Sequence, residues 1–404
     1  MPIKRDSKYF IQSITLLLAM LTSMSPLAID TYLSSMPIMA DYFDVSISKV
    51  EISLTVYFLG FALGNFFGGP LSDAFGRKKL AVTGITLYGI SAIIMPLCTT
   101  IEQVWVLRAI QAFGGGFASV TAMVFVRDWF DGRQVARMAT VIGMIMMFAP
   151  LVAPIIGTAL GQLIGWQAIF HFLAGFSVVL WVLFVFLMPE SREKHLLTKK
   201  ITWKQFVGKY IIFMKSRKAV LLLLTTAFSM SGLFVFITSS SFMYLEYFGK
   251  EPKIFPLLFA ANVVLNVALS FVNNRLLKRF ETQKMLQTGL LLQLLAAIII
   301  FVATLEASAS FIIVFSGIVL FIGSLGMVFG NATAMILNLL PEISGSANAM
   351  IGVTRFIMSF IVGSIPALFY NGTLLPIGAT MLVCCIVAVI IFWFYAKQIT
   401  ECKG

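Results

Sequence analysis

Asp30, Arg108 and Arg355 are the ionisable residues that lie well inside long apolar stretches of this chain. A charge at the centre of a bilayer costs roughly 2.5 to 3.5 kcal/mol on insertion scales, so a residue that keeps one there has a task. A carboxyl withdrawn from water can carry a proton, because desolvation disfavours the charged form. Asp30 follows about twenty residues of apolar run, near its far end, and reads as a proton- or substrate-coupling group or as a hydrated residue at the mouth. An arginine cannot release its proton, so Arg108 must face an anion or a polar cavity. Arg355 either lines a cavity or extends its head to the membrane surface. A pocket lined by two arginines and one aspartate would be net positive, which predicts neutral or anionic ligands rather than lipophilic cations.

A second constellation lies in a short loop. From Gly69 to Lys79 the chain reads G-P-L-S-D-A-F-G-R-K-K, with Asp73, Gly76 and Arg77 at fixed spacing. Glycines permit a positive-φ turn and close helix approach. Asp73 can accept from helix N-terminal amides, and Arg77 can pair with a carboxylate, for which Arg127-Asp128 supplies candidates. A positive loop at a membrane face explains the basic residues but not the aspartate between glycines.

The elements that hold these residues are apolar helices. The composition is 59% hydrophobic and 11% charged, against roughly 25% charged in a soluble domain. About twenty apolar residues span a bilayer, and twelve such runs are found, near 10–39, 52–71, 80–99, 104–126, 138–161, 166–188, 219–243, 252–272, 285–305, 310–331, 346–369 and 374–396. Backbone groups in lipid must be satisfied within the segment, so runs of this length imply helices. The expectation is an all-α, multi-pass membrane protein.

The net charge of +12 does not call for nucleic acid. With both termini cytoplasmic, 24 of the 29 Lys and Arg fall on the cytoplasmic side, leaving Lys49, Lys250 and Lys253 outside. Lys4 and Arg5 before the first run resemble a secretory signal, but the run is too long, so it reads as a retained helix. The four cysteines lack metal-ligand spacing, and no metal site is expected. His171 and His195 stand alone.

A basic stretch over 191–218 divides the runs into two sets of six. The expected domains are a first bundle over 1–190, a cytoplasmic linker over 191–218 and a second bundle over 219–404. Within the linker, Trp203, Phe206, Val207 and Tyr210 recur at helical spacing, which suits either an amphipathic helix on the membrane surface or a solvated connection. The loop after the second run is echoed after the eighth by a basic N-R-L-L-K-R-F at 274–280. Two pseudo-symmetric six-helix halves are the layout of transporters that rock one half against the other. No G-x-x-x-x-G-K-[ST] loop occurs, so ATP is not the direct energy source. Nothing resembles the His, Asp or Cys cluster of a membrane enzyme.

The 69–79 loop resembles the signature between helices 2 and 3 of the major facilitator superfamily. Further segments are similar to its bicyclomycin/chloramphenicol-resistance (Bcr/CflA) drug:proton antiporters. These are S-P-L-A-I-D-T-Y-L at 25–33, L-R-A-I-Q-A-F-G at 107–114, V-R-D at 126–128, G-R-Q-V-A-R at 132–137, A-P-L-V-A-P-I-I-G at 149–157 and G-W-Q-A-I-F at 165–170. In the second half the matches are L-L-F-A-A-N at 257–262 and G-N-A-T-A at 330–334.

The resemblance implies a 12-helix major facilitator fold and efflux of drugs or toxic compounds across the bacterial inner membrane by proton antiport. The alternative is export of a carboxylate-bearing metabolite such as a siderophore. It implies proton coupling at Asp30 and Arg108, a conformational switch at Gly69, Asp73, Gly76, Arg77, Arg127 and Asp128, and an antiporter motif at Pro150, Pro154 and Gly157. Asn262, Asn331 and Arg355 are cavity candidates. The expected partners are a small-molecule substrate, protons and the bilayer, with no cofactor beyond the proton gradient and a monomer as the working form.

Overall fold

Helix follows helix through the described residues. A computed structural model describes residues 10–130, 132–191, 203–306 and 308–400. Lys4, Arg5, Lys8, the charged residues of 192–202, His195, Cys402 and Lys403 lie outside the described residues, as do the side chains of Arg133, Arg137, Trp203, Lys204 and Phe206. Among the described residues there is no strand.

The chain divides into two compact units, Met1–Trp203 and Lys204–Gly404. The first holds α1 (Phe10–Asp30), α2 (Met36–Phe43), α3 (Ile47–Phe75), α4 (Arg77–Ile94), α5 (Ile101–Trp129), α6 (Gly132–Leu163) and α7 (Trp166–Leu187). The second holds α8 (Trp203–Lys215), α9 (Arg217–Ser241), α10 (Phe255–Leu276), α11 (Thr282–Thr304), α12 (Phe311–Leu339), α13 (Ser344–Gly363), the one-turn α14 (Ile365–Leu368) and α15 (Leu375–Thr400).

Among the described residues, eleven helical segments are long and apolar enough to cross a membrane. The expected span near 138–161 falls within α6, whose apolar described stretch is the shorter Phe148–Leu163. Large apolar side chains face outward, among them Leu97, Leu163, Ile312 and Leu368. Helices that are apolar on every face belong in lipid, and this is a multi-pass membrane protein.

Two boundaries bear on the site. The first run is not one helix: α1 stops at Asp30, a 3₁₀ turn covers Leu33–Ser35, and α2 restarts with Pro37 in its first turn. Proline lacks an N–H and is favoured in a first helical turn, where that donor would be an orphan. Asp30 is thus the last residue of a helix. α5 opens with a capping box in which Thr100 and Gln103 satisfy each other's backbone N–H, which sets Arg108 two turns into the helix.

Small residues bring the helices of the first unit together. A Cβ on Gly64 of α3 would overlap the Phe113 oxygen of α5, the close backbone approach by which membrane helices gain dispersion contact. In the second unit a buried amide does similar work: Ser229 donates to Gln293 Oε1 at 2.6 Å and Gln293 Nε2 returns a bond to the Ser229 carbonyl at 3.2 Å. Cys98, Cys384 and Cys385 are free and buried. Burial pushes the Cys98 thiol up, away from reactivity.

The second part of the expected linker is the helix α8, which belongs to the second unit. Its Phe213 enters an apolar core with Ala219, Leu222 and Tyr395, while Val207, Ile211, Ile212 and Met214 remain exposed beside Lys209 and Lys215.

Candidate functional site

Arg108 of α5 is fully buried, and its guanidinium lies between two phenol rings. Its Cζ is 4.5 Å from the ring centre of Tyr32 and 4.3 Å from that of Tyr57. Such contacts are worth about 2 kcal/mol each when desolvated. Nη1 donates to the Ala28 carbonyl at 3.0 Å and to Gln111 Oε1 at 2.9 Å. Nε and Nη2 find no acceptor among the described residues. The Tyr32 hydroxyl bonds Ser53 of α3 at 2.8 Å, and Tyr88 of α4 donates to the Met24 carbonyl of α1 at 3.0 Å. Four helices therefore meet around one cation.

Asp30 is 5% exposed and close enough for its charge to be felt at Tyr57. Among the described residues its carboxylate makes no hydrogen bond and no ion pair. Asp30 and Arg108 form no direct ion pair, but the charge of each acts on Tyr57.

The cluster contains an acid that the sequence reading omitted. Glu51 of α3 is 3% exposed and acts electrostatically on Tyr32, as Arg108 does. The apolar run was expected to begin at residue 52, whereas α3 begins at Ile47 and carries Glu51 inside. The deep ionisable residues are therefore more than three: in the first unit two buried carboxylates, Asp30 and Glu51, accompany Arg108.

At the opposite end of α3 the loop motif forms a charged network. Gly76 has φ +105°, in the region that glycine occupies without strain. Arg77 donates from Nη1 to Asp73 at 2.5 Å and to Ser72 Oγ at 3.0 Å, and from Nε to Asp128 at 3.2 Å. Arg127 is exposed and outside this network. A Cβ on Gly69 would meet nothing within 4 Å, so no close approach depends on it.

The N-terminal amides of α4 are taken by Glu190, beyond the end of α7. It accepts from Arg77 N at 3.0 Å and Lys78 N at 3.1 Å. Ser191 then bonds Asp128 at 2.6 Å, and Lys78 Nζ reaches the Val185 carbonyl at 2.8 Å.

Pro150 and Pro154 lie within the continuous helix α6. A Cβ on Gly157 would overlap the carbonyl of Thr31, next to Asp30, and one on Gly161 would overlap Ser35 Oγ. The small residues of α6 therefore seat it against the break between α1 and α2, inside the first unit.

In the second unit the cavity candidates differ in their bonding. Asn331 of α12 is engaged with Asn273 of α10 through bonds of 2.8 and 3.4 Å, and with the Met327 carbonyl at 2.7 Å. Asn262 of α10 is 3% exposed, and neither amide atom has a partner among the described residues. Arg355 of α13 lies over Phe329 and Phe356, with Cζ at 5.3 and 4.7 Å from the ring centres, and its buried Nε has no acceptor. The Phe356 ring in turn lies 5.5 Å from that of Phe234. Among the described residues no group of three His, Cys, Asp or Glu could hold a metal ion.

Comparison with known proteins agrees with this architecture. Over 96% of this chain and 97% of the relative, it is 29% identical to a bicyclomycin resistance protein homolog of Haemophilus influenzae. It is 25% identical to the multidrug resistance protein MdtL of Escherichia coli, over 96% of both chains. The fold is similar to that of the E. coli xylose transporter XylE in a partially occluded inward open conformation, with a TM-score of 0.72 at 16% identity over 97% of this chain and 98% of the other. The nucleoside transporter NupG is similar at a TM-score of 0.71 and 13% identity, over 95% and 99%. Residues 18–363 match the family model described as Major Facilitator Superfamily. Buried charges in an all-helical, lipid-facing chain thus have a family context: the chain belongs to the Major Facilitator Superfamily, a transporter of a small-molecule substrate across a lipid bilayer.

Proposed function

We propose that the chain exports drugs or other toxic small molecules from the bacterial cytoplasm in exchange for inward-moving protons. It would work as a monomer in the inner membrane, with both termini cytoplasmic and no cofactor beyond the proton gradient. The observation that carries this reading is the cluster around Arg108. It holds a buried carboxylate, Asp30, with no ion pair among the described residues, and a buried guanidinium with two unused nitrogens. A carboxyl so placed is neutralised by a proton more cheaply than by water. Full-length similarity to a bicyclomycin resistance homolog and to MdtL supports drugs as the cargo.

In this reading Asp73, Arg77 and Asp128 form the switch that holds the cytoplasmic end of the first unit in one of its states. The unused amide of Asn262 and the aromatic-framed Arg355 supply polar contacts to the substrate. The test is transport in proteoliposomes with an imposed pH gradient, using bicyclomycin and chloramphenicol as probes. The parental protein should accumulate drug only with the gradient, and Asp30→Asn should lose that dependence while inserting normally. Full gradient-driven transport by Asp30→Asn would refute the assignment, and a drug-susceptibility panel on a deletion strain would identify the cargo.

A further inference from the structure

α8 ends at Lys215 and α9 begins at Arg217, so Ser216 alone separates them. α9 opens an apolar segment long enough to cross the bilayer, which puts the end of α8 at the membrane surface. α8 itself has 13 residues, about 20 Å of helix, too short to cross. Ser216 is extended, with ψ 92°, and its side chain accepts from the Ala219 N–H, so the chain turns there instead of running on as one helix. Phe213 then shares an apolar core with Ala219 and Leu222.

Another face of α8 stays open. Val207, Ile211 and Met214 recur at intervals of four and three, which makes one stripe, and they are 42%, 49% and 54% exposed. Lys215 lies one turn beyond Ile211, at the edge of the stripe, whereas Lys209 falls on the opposite side of the helix; both are exposed. This end of the second unit is basic. Beside Lys215 and Arg217 it carries Arg275, Lys278, Arg279 and Lys284, with Glu281 and Glu342 as its acids among the described residues. The opposite end has Lys250 and Lys253 against Glu246, Glu251 and Glu306. Trp393, 59% exposed near the end of α15, has the Lys397 ammonium 5.9 Å from its ring centre, a pairing suited to the headgroup layer. Two residues on, Tyr395 enters the same core as Phe213. α8 therefore lies level with the headgroups.

We infer that α8 is a lipid-docking helix, with Val207, Ile211 and Met214 seated among the acyl chains and Lys215 and Arg217 on the phosphates of anionic lipids in the leaflet at that end. A stripe of apolar residues edged by basic ones fits such a surface in both its parts. The docking needs only the membrane-spanning fold and no proton coupling.

The experiment is fluorescence quenching in the reconstituted full-length protein. Bimane is attached through Ile211→Cys or Lys209→Cys on a Cys402→Ser background, which also serves as the unlabelled reference because Cys98, Cys384 and Cys385 are buried. The vesicles are phosphatidylcholine with or without phosphatidylglycerol, and both carry lipids with a doxyl quencher high on the acyl chain. The label at 211 should be quenched in the phosphatidylglycerol vesicles, more than in phosphatidylcholine alone and more than the label at 209. A basic residue near an anionic surface contributes about fivefold, so Lys215→Gln with Arg217→Gln should lower the docked-to-free ratio roughly 25-fold, and added salt should act the same way. Val207→Ser with Met214→Ser keeps the charges and should lower quenching in both vesicles. All four positions are exposed, so these variants should melt as the parent does. A label at 211 that is unquenched in every vesicle overturns the proposal. Unquenched emission that shifts to the blue as protein crowds the vesicle also overturns it, by seating the stripe on a second copy. Equal quenching with and without phosphatidylglycerol, unmoved by loss of both basic residues, overturns the assignment to anionic lipid.

Discussion

Glu190 offers the sharpest local perturbation, because its carboxylate closes the start of α4 from 113 positions away. The N–H groups of Arg77 and Lys78 belong to a first helical turn, where no intrahelical acceptor exists. Glu190→Ala leaves both without the acceptors now at 3.0 and 3.1 Å. Loss of a cap costs about 1 kcal/mol, and loss of a negative charge at a helix N-terminus adds about 0.3 kcal/mol at an exposed position such as this one. The sum is about 1–1.5 kcal/mol, which at 1.4 kcal/mol per decade is roughly a five- to tenfold fall in exchange protection. Hydrogen exchange with mass spectrometry on peptides covering 73–80 reads that change directly. Glu190→Gln keeps an acceptor and loses only the charge, so protection should fall less than about twofold, and added salt should shrink even that difference. Parental exchange in Glu190→Ala, or equal damage from both variants, would refute the capping argument.

Three further outcomes are expected. Asp128→Asn should destabilise the loop network more than Asp73→Asn, because the Asp128 side chain is 26% exposed against 61% for Asp73 and also holds Ser191; melting in detergent and labelling of cysteine probes at that end should rank the two in this order, and the reverse order would sink the assignment. Gly157→Ala places a methyl on the Thr31 carbonyl, which is backbone and cannot turn aside; a loss of about 1–3 kcal/mol is expected, together with impaired export, and a parental melting temperature would disprove the close contact. Asn262→Leu removes two buried amide atoms that bond nothing among the described residues, so stability should hold or rise while export of the probe drugs falls; unchanged export would remove Asn262 from the substrate path.

Much of the architecture was legible because lipid imposes a strong pattern. Long apolar runs, a basic bias on alternate loops and a lone charge inside a run are visible in one dimension, and Asp30 and Arg108 were found that way. Gly76 was legible too, since a turn needing positive φ selects for glycine. What stayed hidden depends on distant chain segments. Glu51 lies at the edge of a run, where hydropathy cannot tell a helix's first turn from the loop before it; its burial depends on segments distant in sequence. Glu190 resembles any acidic residue after a helix until α4 is folded beside it. The Asn273–Asn331 pair spans 58 positions, and neither residue announces the other. The break after Asp30 was missed because the run continues in hydropathy through Pro37, although that proline was its one local sign.

Phe213 has a practical consequence for anyone who severs the gene between the two units and coexpresses the pieces. By charge alone, the natural place to begin the second piece is residue 219, after the last lysine of the basic stretch. That choice would discard α8 and pull a 1%-exposed aromatic plug out of the second unit, a vacancy of the kind that costs about 3–5 kcal/mol. A second piece that starts ahead of Trp203 keeps its plug. The boundary that matters for dissection is thus set by one ring rather than by the run of positive charge around it.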